Sequence, residues 1–192
     1  MKIFMSSDKN VVLICGPYKT GTSLLASKLE NQGYYNPSTL SNSNEHGHGR
    51  MDNYYLTKEC VEVRRINNKI ISQKPQRFRY VPEYINLEIL NYLNELNVPY
   101  VLKDPLFVFT LHIWLHNLQI LKKKAKVYFT FRDRTELLKS WLHAYHTRGL
   151  YNDNKSIIEQ MIQYQNYQIL YCKQHNFPFE FYYHQTILPN GI

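Results

Sequence analysis

Apolar positions along this chain follow two alternating periods. Val11-Val12-Leu13-Ile14-Cys15 is a continuous apolar run with β-branched residues, stopped by Gly16-Pro17. That is the pattern of a strand buried on both faces. Leu24, Leu25 and Leu29 then recur at helical spacing over 22–32, with Gly33 as a stop signal. The same reading predicts helices over 51–71, 87–96, 106–121, 135–146 and 155–175, and strands over 100–102, 126–131 and 179–183. Strands separated by helices imply parallel crossovers, hence an α/β fold: a parallel central sheet with helices on both faces. The polar stretch 36–50, rich in Asn, Ser, Gly and His, reads as a functional loop within one domain spanning 1–192.

Composition narrows the class. A chain of 192 residues buries about 70% of its extended surface on folding, enough for a core without staples. Hydrophobic content of 44% with 20% charged residues excludes a disordered or collagen-like chain. No apolar run approaches the ~18 residues of a membrane span, and residues 1–10 carry no apolar core of a secretory signal. Three cysteines, Cys15, Cys60 and Cys172, lack metal-site or disulfide-framework spacing, so a reducing, cytoplasmic setting is expected. The excess of 23 Lys+Arg over 15 Asp+Glu predicts an anionic partner. It concentrates in Arg64, Arg65, Lys69, Lys74, Arg77 and Arg79, with no acid between Arg64 and Pro82, and in Lys122, Lys123, Lys124 and Lys126. The lysine cluster reads as a helix C-terminus and turn, where cations suit the dipole.

Ligands of parallel sheets bind at the carboxyl ends of strands. After the first strand comes Gly16-Pro17-Tyr18-Lys19-Thr20-Gly21-Thr22-Ser23, running straight into a helix. Glycines let the backbone curl, and successive amides at a helix N-terminus make an anion nest. The spacing nearly matches GxxxxGK[ST], but Thr22 stands where that motif has lysine, and the lysine is Lys19, inside the loop. A lysine there can reach a terminal anionic group, but is less suited to bridging the phosphates of a magnesium nucleotide. After the third predicted strand come Arg132-Asp133 and, eight residues beyond Arg132, Ser140. An arginine fork and a hydroxyl two helical turns apart can grip one phosphate from two sides. After the second comes Lys103-Asp104-Pro105, readable alone as a salt bridge at a helix start.

Together these residues, in order and spacing, resemble the sulfotransferases that use 3′-phosphoadenosine 5′-phosphosulfate (PAPS), nearest to small bacterial-type and tyrosylprotein-like members. The resemblance runs from about residue 11 to 188, and its most specific part is the first loop. It implies a P-loop-NTPase-like fold in which Tyr18, Lys19, Thr20, Gly21, Thr22 and Ser23 hold the 5′-phosphosulfate. Arg132, Ser140 and Tyr183 would hold the 3′-phosphate, Lys19 and Lys103 would act as catalytic cations, and no metal would be required. Two positions depart from the family pattern: Arg134 replaces a common proline or glycine, and Ala144 stands where some members carry a second arginine.

Sulfonyl transfer needs a base to deprotonate the acceptor. Gly49-Arg50-Met51-Asp52 resembles the Gly-x-x-Glu segment whose acid serves or is suspected as base in the related branches, with Asp for Glu. His48 has the better ordinary pKa, near ~6.5, for neutral pH, and Glu45 and Asp104 are further candidates; His46-Gly47-His48 lacks a third metal ligand at recognisable spacing. The acceptor is expected to be a small molecule, carbohydrate or peptide. The alternatives are a P-loop kinase, or a nucleotide-phosphate or RNA-binding protein without turnover; Phe78 and Tyr80 lie in the basic stretch, but no RNA-binding motif is present and no nucleic-acid partner is expected. Oligomeric state is left open by the sequence.

Overall fold

The computed structural model describes residues 11–37, 60–72, 82–96, 99–148 and 155–184. Four strands, β1 (Val11–Cys15), β2 (Tyr100–Lys103), β3 (Ala125–Phe131) and β4 (Phe179–Tyr183), form one parallel sheet in the order β2-β1-β3-β4. Six helices accompany them: α1 (Thr22–Glu30), α2 (Val61–Ser72), α3 (Leu87–Glu95), α4 (Phe107–Ile120), α5 (Arg134–Arg148) and α6 (Lys155–Gln174). Most ends lie within two residues of those expected from periodicity. The helix expected over 51–71 starts at Val61 among the described residues; 51–59 lie outside them.

The alternation along β1 explains the layering. Val12 and Ile14 pack with Leu25, Ala26 and Leu29 of α1 on one face. Val11, Leu13 and Cys15 face the larger core on the other side, built with α2, α3, α4 and α6. Helices therefore cover both faces, as the apolar run of β1 requires. From β1 the chain enters α1 on one face, and α2 and α3 on the other precede β2; from β2 it crosses over β1 to β3 with α4 on the face opposite α1. The carboxyl ends of β1 and β3 thus flank the point where successive connections diverge, the crevice in which doubly wound sheets bind ligands.

Helix α4 is buried along most of its length, so its polar groups need internal partners. Thr110 and Trp114 both donate to Asn67 Oδ1 of α2, at 2.8 and 2.9 Å. Gln168 of α6 reaches into the α4 backbone, accepting from His112 N (3.0 Å) and donating to Val108 O (3.1 Å). One residue type that rarely ends up inside, glutamine, thereby locks α6 against α4.

The basic clusters prove to be partly structural. Lys123 caps the end of α3 by donating to the carbonyls of Leu93 and Leu96, and Lys126 pairs with Glu180 across β3 and β4 at 2.6 Å. Arg65 pairs with Glu62 and Glu88, and Lys69 with Glu88. The basic stretch has no acid of its own beyond Arg64, so α2 and α3 bring acids to it. Lys74, Arg77 and Arg79 lie outside the described residues.

Candidate anion site at the ends of β1 and β3

The loop after β1 is held in a conformation that side chains resist. Lys19 has φ +69° and Gly21 φ +86°, both left-handed. For lysine that costs about 1–2 kcal/mol, so something must enforce it. Thr20, between them and 2% exposed, supplies the anchor. Its hydroxyl donates to Pro17 O (2.7 Å) and meets the Thr130 hydroxyl of β3 at 2.7 Å. Gly16 is obligatory for a different reason. A Cβ there would stand 2.0 Å from Thr130 Oγ1 and 2.8 Å from Thr20 Oγ1.

Gly21 is the N-cap of α1 and offers no side-chain cap, and the first turn of α1 carries no acid. Among the described residues, the amides of that turn are therefore donors with no N-cap side chain and no carboxylate of their own turn to serve them. Thr22 is buried and Ser23 half-buried at the start of this turn.

Arg132 leaves the end of β3 largely buried, and its Nη1 donates to Lys19 O at 3.3 Å. The guanidinium thus touches the loop itself. Asp133 does not compete for it: its Oδ1 caps α5 by accepting from Thr135 N and Glu136 N at 2.9 and 3.1 Å. Glu136 Oε2 lies 4.0 Å from Arg132 Nη2. Ser140, half-buried, sits one helical turn beyond Glu136 on the same face of α5. Its neighbour Trp141 packs on Tyr18 with ring centroids 5.7 Å apart, bringing α5 over the loop.

At the end of β2, Lys103 is buried in register with Ile14, so it belongs to the α1 face. Asp104 is fully buried, with Oδ2 accepting from Arg64 Nε (2.7 Å) and Oδ1 from Leu106 N (2.7 Å). Both oxygens of this carboxylate are engaged in holding α2 and the start of α4.

Among the described residues, no ring contact brings Tyr183 to this group. It is 67% exposed and stacks on Phe131 at 5.4 Å, on the face opposite Tyr182. The residue of this segment that does reach the loop is His184, whose N–H donates to Phe131 O (2.8 Å) and whose ring lies against Gly21. Burial, then Arg132 and Lys28, hold its pKa below the ordinary histidine value. Lys28 in α1 also donates to Tyr182 OH at 3.1 Å. Sequence reasoning missed His184, Thr130 and Gln165, whose Nε2 donates to the carbonyls of Thr130 (3.0 Å) and Cys15 (3.5 Å). The strand-end rule applied to 179–183 as it was to the first three strands would have found His184; nothing local marks Gln165.

Glu45, His46, His48 and Asp52 lie outside the described residues. Among the described residues no cluster of three or more His, Cys, Asp or Glu could hold a metal, and no helix is long and apolar enough to cross a membrane. Cys15, Cys60 and Cys172 are free and buried; burial raises the Cys15 thiol and pushes Cys172 up to about 12, which suits packing rather than nucleophilic chemistry. No protein-family model matches the chain, and no curated protein matches it in sequence.

Proposed function

We propose that this protein is a PAPS-dependent sulfotransferase, with a P-loop-like cradle and a small-molecule, carbohydrate or peptide acceptor. The observation that carries the reading is the contact between its two anion grips: Arg132 donates to the carbonyl of Lys19, in a loop whose lysine is displaced from the nucleotide P-loop position. The donor set supports such a ligand: Arg132 touches the carbonyl of Lys19, Thr22 and Ser23 begin α1 directly after this loop, and the first turn of α1 carries no acid. When bound, PAPS supplies an activated sulfonate and, on its transfer, leaves as 3′-phosphoadenosine 5′-phosphate.

The chain's own residues then divide the labour. The amides of residues 21–23 and the hydroxyls of Thr22 and Ser23 hold the 5′-phosphate, Thr20 anchors the loop that presents them, and Tyr18 with Trp141 walls it. Arg132 and Ser140 hold the 3′-phosphate, the group that separates this donor from ATP; Tyr183 belongs to the same segment of the site. Lys19 neutralises charge that develops on the leaving phosphate, with Lys103 as second cation. Asp104 is the poorest candidate for the base, since Arg64 and Leu106 N already occupy its oxygens. The base then falls to Asp52, with His48 and Glu45 as alternatives. Free, buried cysteines support a cytoplasmic setting.

Calorimetry with adenosine 3′,5′-bisphosphate, ADP and ATP tests this reading. The 3′-phosphorylated nucleotide should bind much more tightly, and binding should persist in EDTA. Arg132→Ala should weaken it by about 30-fold or more, as expected for a buried charge-assisted contact worth roughly 2–5 kcal/mol. Equal affinity for ADP sinks the assignment, and strict Mg²⁺ dependence points to a kinase.

A further inference from the structure

His184 stands one residue beyond β4, where its backbone bond to Phe131 O extends the β3–β4 pairing and fixes its position. A Cβ built on Gly21 would lie 2.9 Å from its Cγ and 3.3 Å from its Nδ1, so the imidazole packs directly on the N-cap of α1. Two cations act on the ring from neighbouring elements, Arg132 from the end of β3 and Lys28 from α1. Around them, Glu136 of α5 lies 4.0 Å from Arg132, Tyr182 OH of β4 accepts from Lys28, and Lys19 is the cation of the loop. Among the described residues the imidazole nitrogens make no hydrogen bond.

An imidazole packed on the N-cap of α1 and under the influence of two cations is placed to change state when negative charge arrives. A bound phosphate offsets the two cations and favours the imidazolium, which can then donate to it. We propose that His184 is an additional ligand of the loop's anion, taking up a proton as the anion binds. This rests on the reading of the loop as a phosphate site, and not on sulfonyl transfer.

The linkage has a definite sign. Below the free-state pKa His184 is already charged, and anion affinity is at its maximum with respect to this group. Between the free-state and the anion-bound pKa, anion binding takes up as much as one proton, and affinity falls by up to about tenfold per pH unit. Above the bound-state pKa the dependence on His184 ends.

The experiment is an NMR titration of the His184 ring proton, assigned by its loss in His184→Gln, on the full chain from pH 5 to 8.5. It is run free, with pyrophosphate, and with adenosine 3′,5′-bisphosphate. Either anion should raise the midpoint by at least one pH unit. Pyrophosphate affinity should fall at least about threefold more between pH 6 and 8 in the wild type than in His184→Gln. His184→Asn serves as a second variant should glutamine disturb Gly21. A midpoint unmoved by bound anion, or an equal pH dependence in both variants, overturns the proposal. A raised midpoint with pyrophosphate, but no preference for the bisphosphate over ADP, upholds His184 and overturns the sulfotransferase reading. Bisphosphate preference with an unmoved midpoint does the reverse, and absence of binding by either anion overturns both.

Discussion

Replacing Gly16 by alanine should injure this protein more than any change of one methyl group has a right to. The added Cβ would stand 2.0 Å from Thr130 Oγ1, a full ångström inside the 3.0 Å that real Cβ atoms respect, and 3.0 Å from Thr130 O. Rotating the Thr130 hydroxyl away relieves the first contact but breaks its bond to Thr20, and the backbone oxygen remains. Losing a buried hydroxyl partner costs about 1–3 kcal/mol, and overpacking about 1–3 kcal/mol more. Together they take about 2–6 kcal/mol from a domain whose total stability is on the order of 5–15 kcal/mol. Urea unfolding followed by circular dichroism reads this directly, provided the slope stays constant between variants. The decisive variant is Gly16→Ala with Thr130→Ala, which vacates the colliding oxygen. It should recover at least about 1 kcal/mol relative to the sum of the single changes, the coupling expected of residues in contact. A Gly16→Ala protein within about 0.5 kcal/mol of wild type, or strict additivity in the double variant, refutes the account.

Lys19→Gly should leave stability unchanged or raise it by up to about 1 kcal/mol, because glycine accepts φ +69° freely; turnover should fall by about 10²–10³, the usual loss for a preorganised charge donor. A destabilised glycine variant would mean the lysine side chain, and not Thr20, holds the loop. Arg64→Leu should cost about 3 kcal/mol in urea unfolding by stranding the buried Asp104, and adding Asp104→Asn should restore part of it; a neutral Arg64→Leu denies the pair its role. Hydrogen bonds from Lys69 and Arg65 hold the Glu88 carboxyl below its usual range, so its contribution is present above the unfolded value near ~4.3 and lost as pH falls through the lower folded value. The difference in melting temperature between wild type and Glu88→Gln should therefore shrink as pH falls below about 4 and shrink in high salt; a gap that persists at pH 3 contradicts it.

The fold was legible because its buried strands and helices write their burial into short-range pattern. Val11–Cys15 is apolar at every position since both faces are covered, and α4 is apolar nearly all round since sheet and helices surround it. The loop was legible too, because glycines at 16 and 21 answer to local backbone geometry. What the pattern could not carry was pairing across the fold. Arg64, read as a cation for a ligand, belongs to Asp104; Lys123, read as suiting the dipole of the helix just before it, instead caps a helix some thirty residues earlier. Thr130 looks like any strand threonine until Thr20 and Gly16 are placed against it. Such roles depend on which strand lies next to which, and strand order is not written in periodicity.

That strand order also fixes when the loop can acquire its shape. Residues 16–23 are synthesised early, yet Thr130 lies 110 residues from Thr20, Arg132 lies 113 from Lys19, and Gln165 lies 150 from Cys15. At about 5–20 residues per second, the ribosome makes the loop on the order of ten seconds before the residues that hold it. Until residues 100–103 are made β1 has neither neighbour, and until 130–132 follow, the Thr130 and Arg132 contacts that hold the loop are missing. A nascent chain therefore carries the whole glycine motif without carrying the site. The proposed anion site would be complete only with β3 and α6, near the end of translation of the described fold, so a chain cut short before them is expected to display the motif and bind no anion with it.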